Sequence, residues 1–211
     1  SFKTIVNEVL NLHGDKKRNY LADEGERILM NLVLRDIRDE LELYDSNIYD
    51  DGFVKLLITI LSEFKSNNVN YQSLSQAGEG INDGNFRKKI NDLTRIYSQY
   101  ERILADKYFD KEDRAIEAVS KIKYMDEYRN IDFYIDQFHT MSQLEIRIVE
   151  ELVKIGAKVY ITSLLDPRMV KYLSSNSIPE YEVSDSEVFE ISRRLLNNLS
   201  NNLKLNIILR R

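Results

Sequence analysis

The sequence predicts an α/β chain: a mainly α-helical domain over residues 1–127, then part of a parallel-sheet domain over residues 128–211. Three observations predict it. Apolar residues recur at helical spacing as far as Tyr124. The period then switches to strict alternation at Ile131, Phe133 and Ile135. Finally, Asn130–Pro167 reads as strand, loop, amphipathic helix and strand, the order of one right-handed β-α-β unit.

The elements follow in order. The opening SFKTIVNEVLNLHG carries no initiating Met and starts inside an element, so the chain is expected to be a piece of a longer protein. In Glu24–Leu43, Leu29, Val33, Ile37 and Leu41 recur every four residues, which predicts one helix with Asp23 as its N-cap. Asp51-Gly52 breaks the chain, and Phe53, Leu56, Leu57, Ile60, Leu61 and Phe64 supply a second helix. Ser66–Gly84 is polar and holds Gly78, Gly80 and Gly84, so it is expected to be mostly loop, with a short helical turn. Phe86, Ile90, Leu93, Tyr97, Tyr100 and Leu104 step through a long third helix of a packed helical hairpin. Ala115, Ala118, Val119 and Ile122 give a fourth over Lys111–Tyr124.

Within the β-α-β unit, Ile131–Asp136 is the first strand. Ser142 and Glu145 have capping-box spacing, Leu144, Ile148, Leu152 and Ile155 form the helix face, and Gly156 ends the helix. Lys158–Leu164 is the second strand, closed by Asp166-Pro167. Glu187–Leu199 is expected to be a helix and Leu205–Leu209 a short strand.

Composition narrows the chemistry. With no Cys, the chain has no disulfide, thiolate metal site or Cys nucleophile, and two His leave little for an imidazole metal site. No apolar run spans a bilayer, so no membrane partner and a cytoplasmic location are expected. The net charge of −5 gives no bulk attraction to nucleic acid, so any such binding must use a local basic surface or a partner protein.

An Asp at the end of a buried parallel strand commonly holds the metal of a bound nucleotide, and Asp136 fits that position. A hydrolysing site carries a second carboxylate next to it. Here Gln137 follows, which can orient water but cannot take a proton as Glu would. The glycine-rich phosphate loop with its Lys and Ser/Thr is absent, and Gly78–Gly84 lacks both the Lys and a preceding strand. A polar strand end before a turn is the simpler reading of Asp136-Gln137. His139 has no specified nucleophile or carboxylate partner, and a structural hydrogen bond accounts for it. Arg87-Lys88-Lys89 is a local basic cluster that can meet phosphates; a solvated helix start is the more frequent explanation of such a run, and the small conflict of cations with the helix dipole there is the pointer to a partner. Asp110, Glu112 and Asp113, like Asp23, Glu24 and Glu26, are favourable dipole charges. Tyr97 and Tyr100 lie on an apolar helix face and read as core rather than as base-stacking platforms.

The ordered set of segments resembles AddB and RexB proteins, the B subunits of bacterial helicase–nuclease complexes. IDFYIDQFHTMSQLEIRIVEELVKIGAKVYITSLLDP is similar to the family's strand ending in Asp-x-Phe with its following helix and Thr-x-x-Leu-Asp strand. FRKKINDLTRIYSQYERILADKYFDKEDR resembles the family's helical insertion, with Lys89, Asp92, Ile96, Tyr97 and Tyr100 in the matching pattern. RNYLADEGERILMNLVLRDIRDEL and GFVKLLITILSEFK resemble earlier helices of that insertion. SFKTIVNEVL is similar to the segment just after the phosphate-loop helix of helicase-like domains.

The resemblance implies a helical insertion domain followed by part of a RecA-like (P-loop NTPase-type) domain lacking its P-loop. It implies a piece of an ATP-dependent helicase–exonuclease that processes double-strand DNA breaks for recombinational repair, with a degenerate motor site and no ATPase, helicase or nuclease activity of its own. No cofactor is expected in this chain; ATP with magnesium and an iron–sulfur cluster belong to the full-length parent. The implied partners are DNA and an AddA/RexA-type motor subunit. Asp136 and Gln137 would stand beside any bound nucleotide. Phe2, Lys3, Arg87, Lys88, Lys89 and Thr162 would face DNA, and Asp166 would share the sheet edge with Thr162. Two other readings stand beside this one: a free-standing helical interaction module with a small α/β cap and no DNA role, and a small enzyme using Asp136 and His139.

Overall fold

The computed structural model describes residues 1–105, 107–136, 138, 140–163 and 190–203. Two compact units divide the chain, Ser1–Lys121 and Ile122–Arg211. The first holds α1 (Phe2–His13), α2 (Asp23–Asp36), α3 (Asp51–Ser66), α4 (Tyr71–Glu79), α5 (Gly84–Leu104) and α6 (Lys111–Lys121). The second begins with two 3-10 turns, Ile122–Tyr124 and Asp126–Asn130, and continues with β1 (Asp132–Ile135), α7 (Gln143–Lys154), β2 (Lys158–Ile161) and α8 (Glu190–Asn202). The described residues are thus mostly helical, with one two-stranded parallel sheet in the second unit, which agrees with an α/β chain. The expected strand Leu205–Leu209 and the strand end Leu164–Pro167 lie outside the described residues.

The core of the first unit is built by α2, α3 and α5. Leu29, Met30, Val33 and Leu34 of α2 meet Val54, Leu57 and Leu61 of α3 and Ile96, Tyr97, Tyr100 and Leu104 of α5. Tyr97 and Tyr100 are core residues, as their spacing predicts. Side chains start the helices: the Asp50 carboxylate accepts the N–H groups of Gly52 and Phe53, and that of Asp83 accepts those of Asn85 and Phe86. Alongside, α1 packs on α6 through buried Val6, Val9 and Leu10 and buried Ala118 and Val119.

The structure corrects four expectations. Glu24–Leu43 is not one helix: α2 ends at Asp36, Ile37 turns out of it, and Arg38–Glu40 is a separate 3-10 turn. Asp23 is not the N-cap; Ala22 holds that position without a side-chain cap, and Asp23 begins the helix. The expected loop after Ser66 contains α4, started by the Asn70 side chain accepting the Ser73 N–H. Phe86 lies on the exposed side of α5 rather than in its apolar stripe.

The α4 helix is cryptic because a glycine makes its contact. A Cβ at Gly78 would stand 2.8 Å from Ile90 Cγ2 of α5, so only glycine lets the two helices approach this closely. A polar, glycine-containing nine-residue segment carries little helical signal in isolation.

Asp92 explains why α2 stops. Its side chain is fully buried on α5, and its carboxylate accepts the backbone N–H groups of Glu42 (2.9 Å), Leu43 (2.8 Å) and Tyr44 (3.3 Å). Arg95, one turn further on, donates to the Glu40 carbonyl. A helix continued to Leu43 would engage those amides internally and leave a buried carboxylate without donors, so the chain turns to meet it.

In the second unit, β1 and β2 pair in parallel with register Asp132↔Lys158 to Ile135↔Ile161. The crossover helix α7 has the capping box read from the sequence: Ser142 Oγ accepts from Glu145 N–H, and the Glu145 carboxylate accepts from Ser142 N–H. Its end is fixed by Gly156 at φ +96°, where the Ala157 N–H returns to the Leu152 carbonyl. Leu144, Ile146, Ile148, Val149 and Leu152 are buried on α7, which packs on β2 and the first 3-10 turn. On the other side of the strands Tyr134 and Tyr160 stack with ring centroids 5.0 Å apart, and both are exposed.

Asp92→Ala is expected to lower the unfolding free energy by roughly 2–4 kcal/mol, the cost of leaving several buried amides without an acceptor. Urea denaturation measures it as a lower midpoint at constant slope. A change under about 0.5 kcal/mol would mean that residues 41–44 are held by other contacts.

Candidate functional site

The carboxyl edge of the small sheet brings two of the sequence-selected residues together. Parallel register places Asp136 and Thr162 one step beyond Ile135 and Ile161, and the Thr162 N–H continues the ladder to the Ile135 carbonyl at 3.0 Å. There the Thr162 hydroxyl donates to the Asp136 carboxylate. Both side chains are exposed, so the pair faces solvent at the edge of a parallel sheet where ligands collect. Next to it, the Ser163 hydroxyl oxygen is buried without a hydrogen-bond partner among the described residues. An exposed carboxylate and the hydroxyl it already holds can bind or orient a polar group. Among the described residues no cluster of three or more His, Asp or Glu is placed to hold a metal ion. Gln137, His139 and Asp166 lie outside the described residues.

The remaining selected residues sit elsewhere. Arg87, Lys88 and Lys89 are exposed in the first two turns of α5. The Lys88 ammonium lies 3.8 Å from the Glu42 carboxylate, so one of the three charges is shared with the segment that Asp92 anchors. At the start of α1, Phe2 is buried, so its ring is committed to packing, while Lys3 is exposed. All of these residues belong to the first unit, whereas Asp136 and Thr162 belong to the second.

The acidic residues at the start of α6 do more than favour its dipole. Lys65 of α3 is buried and its ammonium reaches Asp110 at 2.7 Å, Asp113 at 2.9 Å and Glu101 at 3.3 Å. Ser62 donates to buried Glu112 at 2.5 Å, and buried Glu26 accepts from the Lys111 N–H at 3.4 Å. Burial pushes the carboxyls of Asp110 and Glu101 above the usual range, against the pull of Lys65. Burial likewise raises Glu26, opposed by Lys111, and Glu112, opposed by the Ser62 hydrogen bond. The cluster is a clamp joining α3, α5 and α6.

Sequence reasoning passed over a second basic cluster, Lys16-Lys17-Arg18, in the turn after α1. The signal was a plain run of three cations. What hid its meaning was the fold, which sets this turn beside Lys107, Tyr108 and Phe109. Tyr20 and Phe109 form an isolated parallel bridge between the two segments. The Tyr20 hydroxyl donates to buried Glu117, and burial followed by that bond pushes its pKa up to about 12.

Known relatives bear on what these surfaces serve. The family model described as "ADDB, N-terminal" matches residues 1–208. The chain is 28% identical over 166 residues to the B subunit of the ATP-dependent helicase/deoxyribonuclease of Thermoanaerobacter sp. (strain X514), covering 79% of this chain and 14% of that protein. It is 30% identical over 167 residues to the protein of the same description from Caldanaerobacter subterraneus subsp. tengcongensis, again 79% of this chain and 14% of the relative. The counterpart from Clostridium botulinum (strain Loch Maree / Type A3) is 26% identical over 206 residues, 97% of this chain and 18% of that protein. The chain therefore spans less than a fifth of the length of these curated relatives.

The raised carboxyls fix the sign of a pH response. A group whose pKa is higher folded than unfolded contributes stability that is fully present below its unfolded value and lost as pH rises through the folded one. Tm is therefore expected to rise as pH falls from neutral towards the carboxylate range. Glu112→Gln keeps an acceptor for Ser62 without the charge, and should flatten that rise and lift Tm at neutral pH. Differential scanning calorimetry across pH tests it; an unchanged slope in the variant would show that Glu112 carries its charge at no cost.

Proposed function

The chain belongs to the AddB N-terminal family, whose model covers residues 1–208, and from that premise we propose that it is the DNA-binding and subunit-packing part of the B subunit of an ATP-dependent helicase/deoxyribonuclease, a part that does not itself hydrolyse ATP. The observation that carries this reading is the Asp136–Thr162 pair at the carboxyl edge of a parallel β-α-β unit, within a chain of this family. The unit is the part of a RecA-like domain that follows a helical insertion, and Asp136 keeps the strand-end position that faces a nucleotide or DNA. Gln137 in place of a carboxylate supports a motor framework used for holding rather than for hydrolysis. In the parent protein this framework serves repair of DNA breaks in the cytoplasm, alongside an AddA/RexA-type motor subunit.

DNA contacts in this reading fall to exposed Lys3, Arg87, Lys88, Lys89 and Thr162, with Phe2 fixing the position of Lys3. Packing against the motor subunit falls to apolar side chains left outside the core, of which Ile28 and Leu32, one turn apart on α2, are exposed. Those same residues are also what a free-standing interaction module without a DNA role would display, so DNA binding separates the two readings. Among the described residues no helix is long and apolar enough to cross a membrane.

The protein is expected to bind oligothymidylate at low salt, with log K falling linearly as log[salt] rises. Replacing Arg87, Lys88 and Lys89 together by Ala should reduce that slope by up to about 2, near 0.7 for each lost phosphate contact on a single strand. No binding at any salt overturns the DNA role in favour of the interaction module. Magnesium-dependent ATP hydrolysis that disappears in Asp136→Ala overturns the non-hydrolysing framework.

A further inference from the structure

We propose that the cleft between residues 15–19 and residues 107–109 is a second binding site, for the phosphate backbone of single-stranded DNA with a base stacked on Tyr108. The inference shares with the reading above only the premise that the chain meets DNA, and it places a contact on residues that reading does not use.

The cleft is an open depression of about 480 Å³ lined by Asp15, Lys17, Arg18, Asn19, Lys107, Tyr108 and Phe109. Its walls are fixed by backbone: the Leu21 N–H donates to the Phe109 carbonyl at 2.8 Å, and the Phe109 N–H to the Asn19 carbonyl at 3.0 Å. Three of its side chains are cations and one is a carboxylate, in a chain whose net charge is −5. That carboxylate is engaged locally, since Asp15 Oδ1 accepts the Lys17 N–H at 2.9 Å. Arg18 is held in place, with its guanidinium 4.4 Å from the Phe109 ring centre and 3.3 Å from Glu117. Lys17 and Lys107 are exposed and form no ion pair among the described residues. They are therefore the charges available to an outside anion.

Tyr108 selects the class of anion. It is 43% exposed beside those lysines, although the neighbouring Phe109 is covered by Arg18. A free phosphate gains nothing from an open aromatic face. A single strand uses both features, since each phosphate meets a cation and each unpaired base has a face to stack. A duplex buries its base faces and would use only the lysines.

The test is fluorescence anisotropy of labelled oligothymidylate and of a duplex of equal length, titrated with the protein and its variants over a salt series. Circular dichroism of each variant checks that it is folded. Lys17→Ala with Lys107→Ala should weaken single-strand binding about tenfold and lower the salt slope by about 1.4, the value for two phosphate contacts. Tyr108→Ala should weaken it about tenfold with the slope unchanged, and leave the duplex unaffected. If the lysine pair can be removed without loss while the α5 triple variant loses affinity, the cleft is not a site and the broader DNA reading survives. Equal losses for duplex and single strand, with Tyr108→Ala silent, overturn the single-strand assignment. Absence of binding by the unaltered protein overturns both.

Discussion

One buried ammonium organises the first unit. Lys65 arrives from α3 and is met by Glu101 of α5, Asp110 before α6 and Asp113 within it. Withdrawing such charges from water is costly, and one cation does not neutralise three carboxylates. The arrangement persists because the surrounding hydrogen bonds share the load: the Asp110 and Asp113 side chains each accept a backbone N–H from the other residue, which ties off the start of α6. With α6 fixed, Glu117 is set where it can hold Tyr20 and Arg18. The bridge between Tyr20 and Phe109 then draws the turn after α1 against the segment before α6. The basic cleft is thus a product of an interior ion cluster, although none of its lining lysines takes part in that cluster.

What could be read from the sequence was what local periodicity encodes. The stripe Leu29, Val33, Ile37 and Leu41 is interior, as are Tyr97, Tyr100 and Leu104 of the α5 stripe, and the capping box of Ser142 and Glu145 is in place. The change of period at Ile131 does mark the start of strand structure, and the two strands pair in parallel. The stripes, the capping box and the change of period are legible because each depends on residues within a few positions of one another, and the parallel pairing follows from the strand–helix–strand order.

What could not be read depended on distant residues. The break after Asp36 is imposed by Asp92, about fifty positions further on, whose carboxylate competes for amides that a continued helix would have used. The α4 helix is stabilised by its fit to α5 rather than by its own composition. Lys16-Lys17-Arg18 looks like a solvated turn until the fold places Lys107 and Tyr108 beside it. The candidate strand-end site was half legible: the position of Asp136 follows from the alternation, whereas its contact with Thr162 requires the register of two strands separated by a helix.

The close seating of α4 on α5 also limits how this chain can diverge. At position 78 a methyl group would collide with Ile90 Cγ2. A lineage can therefore replace Gly78 only after residue 90 has become smaller, while a smaller residue at 90 opens a void as long as Gly78 remains. Drift at either position alone is penalised, and the two are expected to change in a fixed order or to stay as an inherited pair.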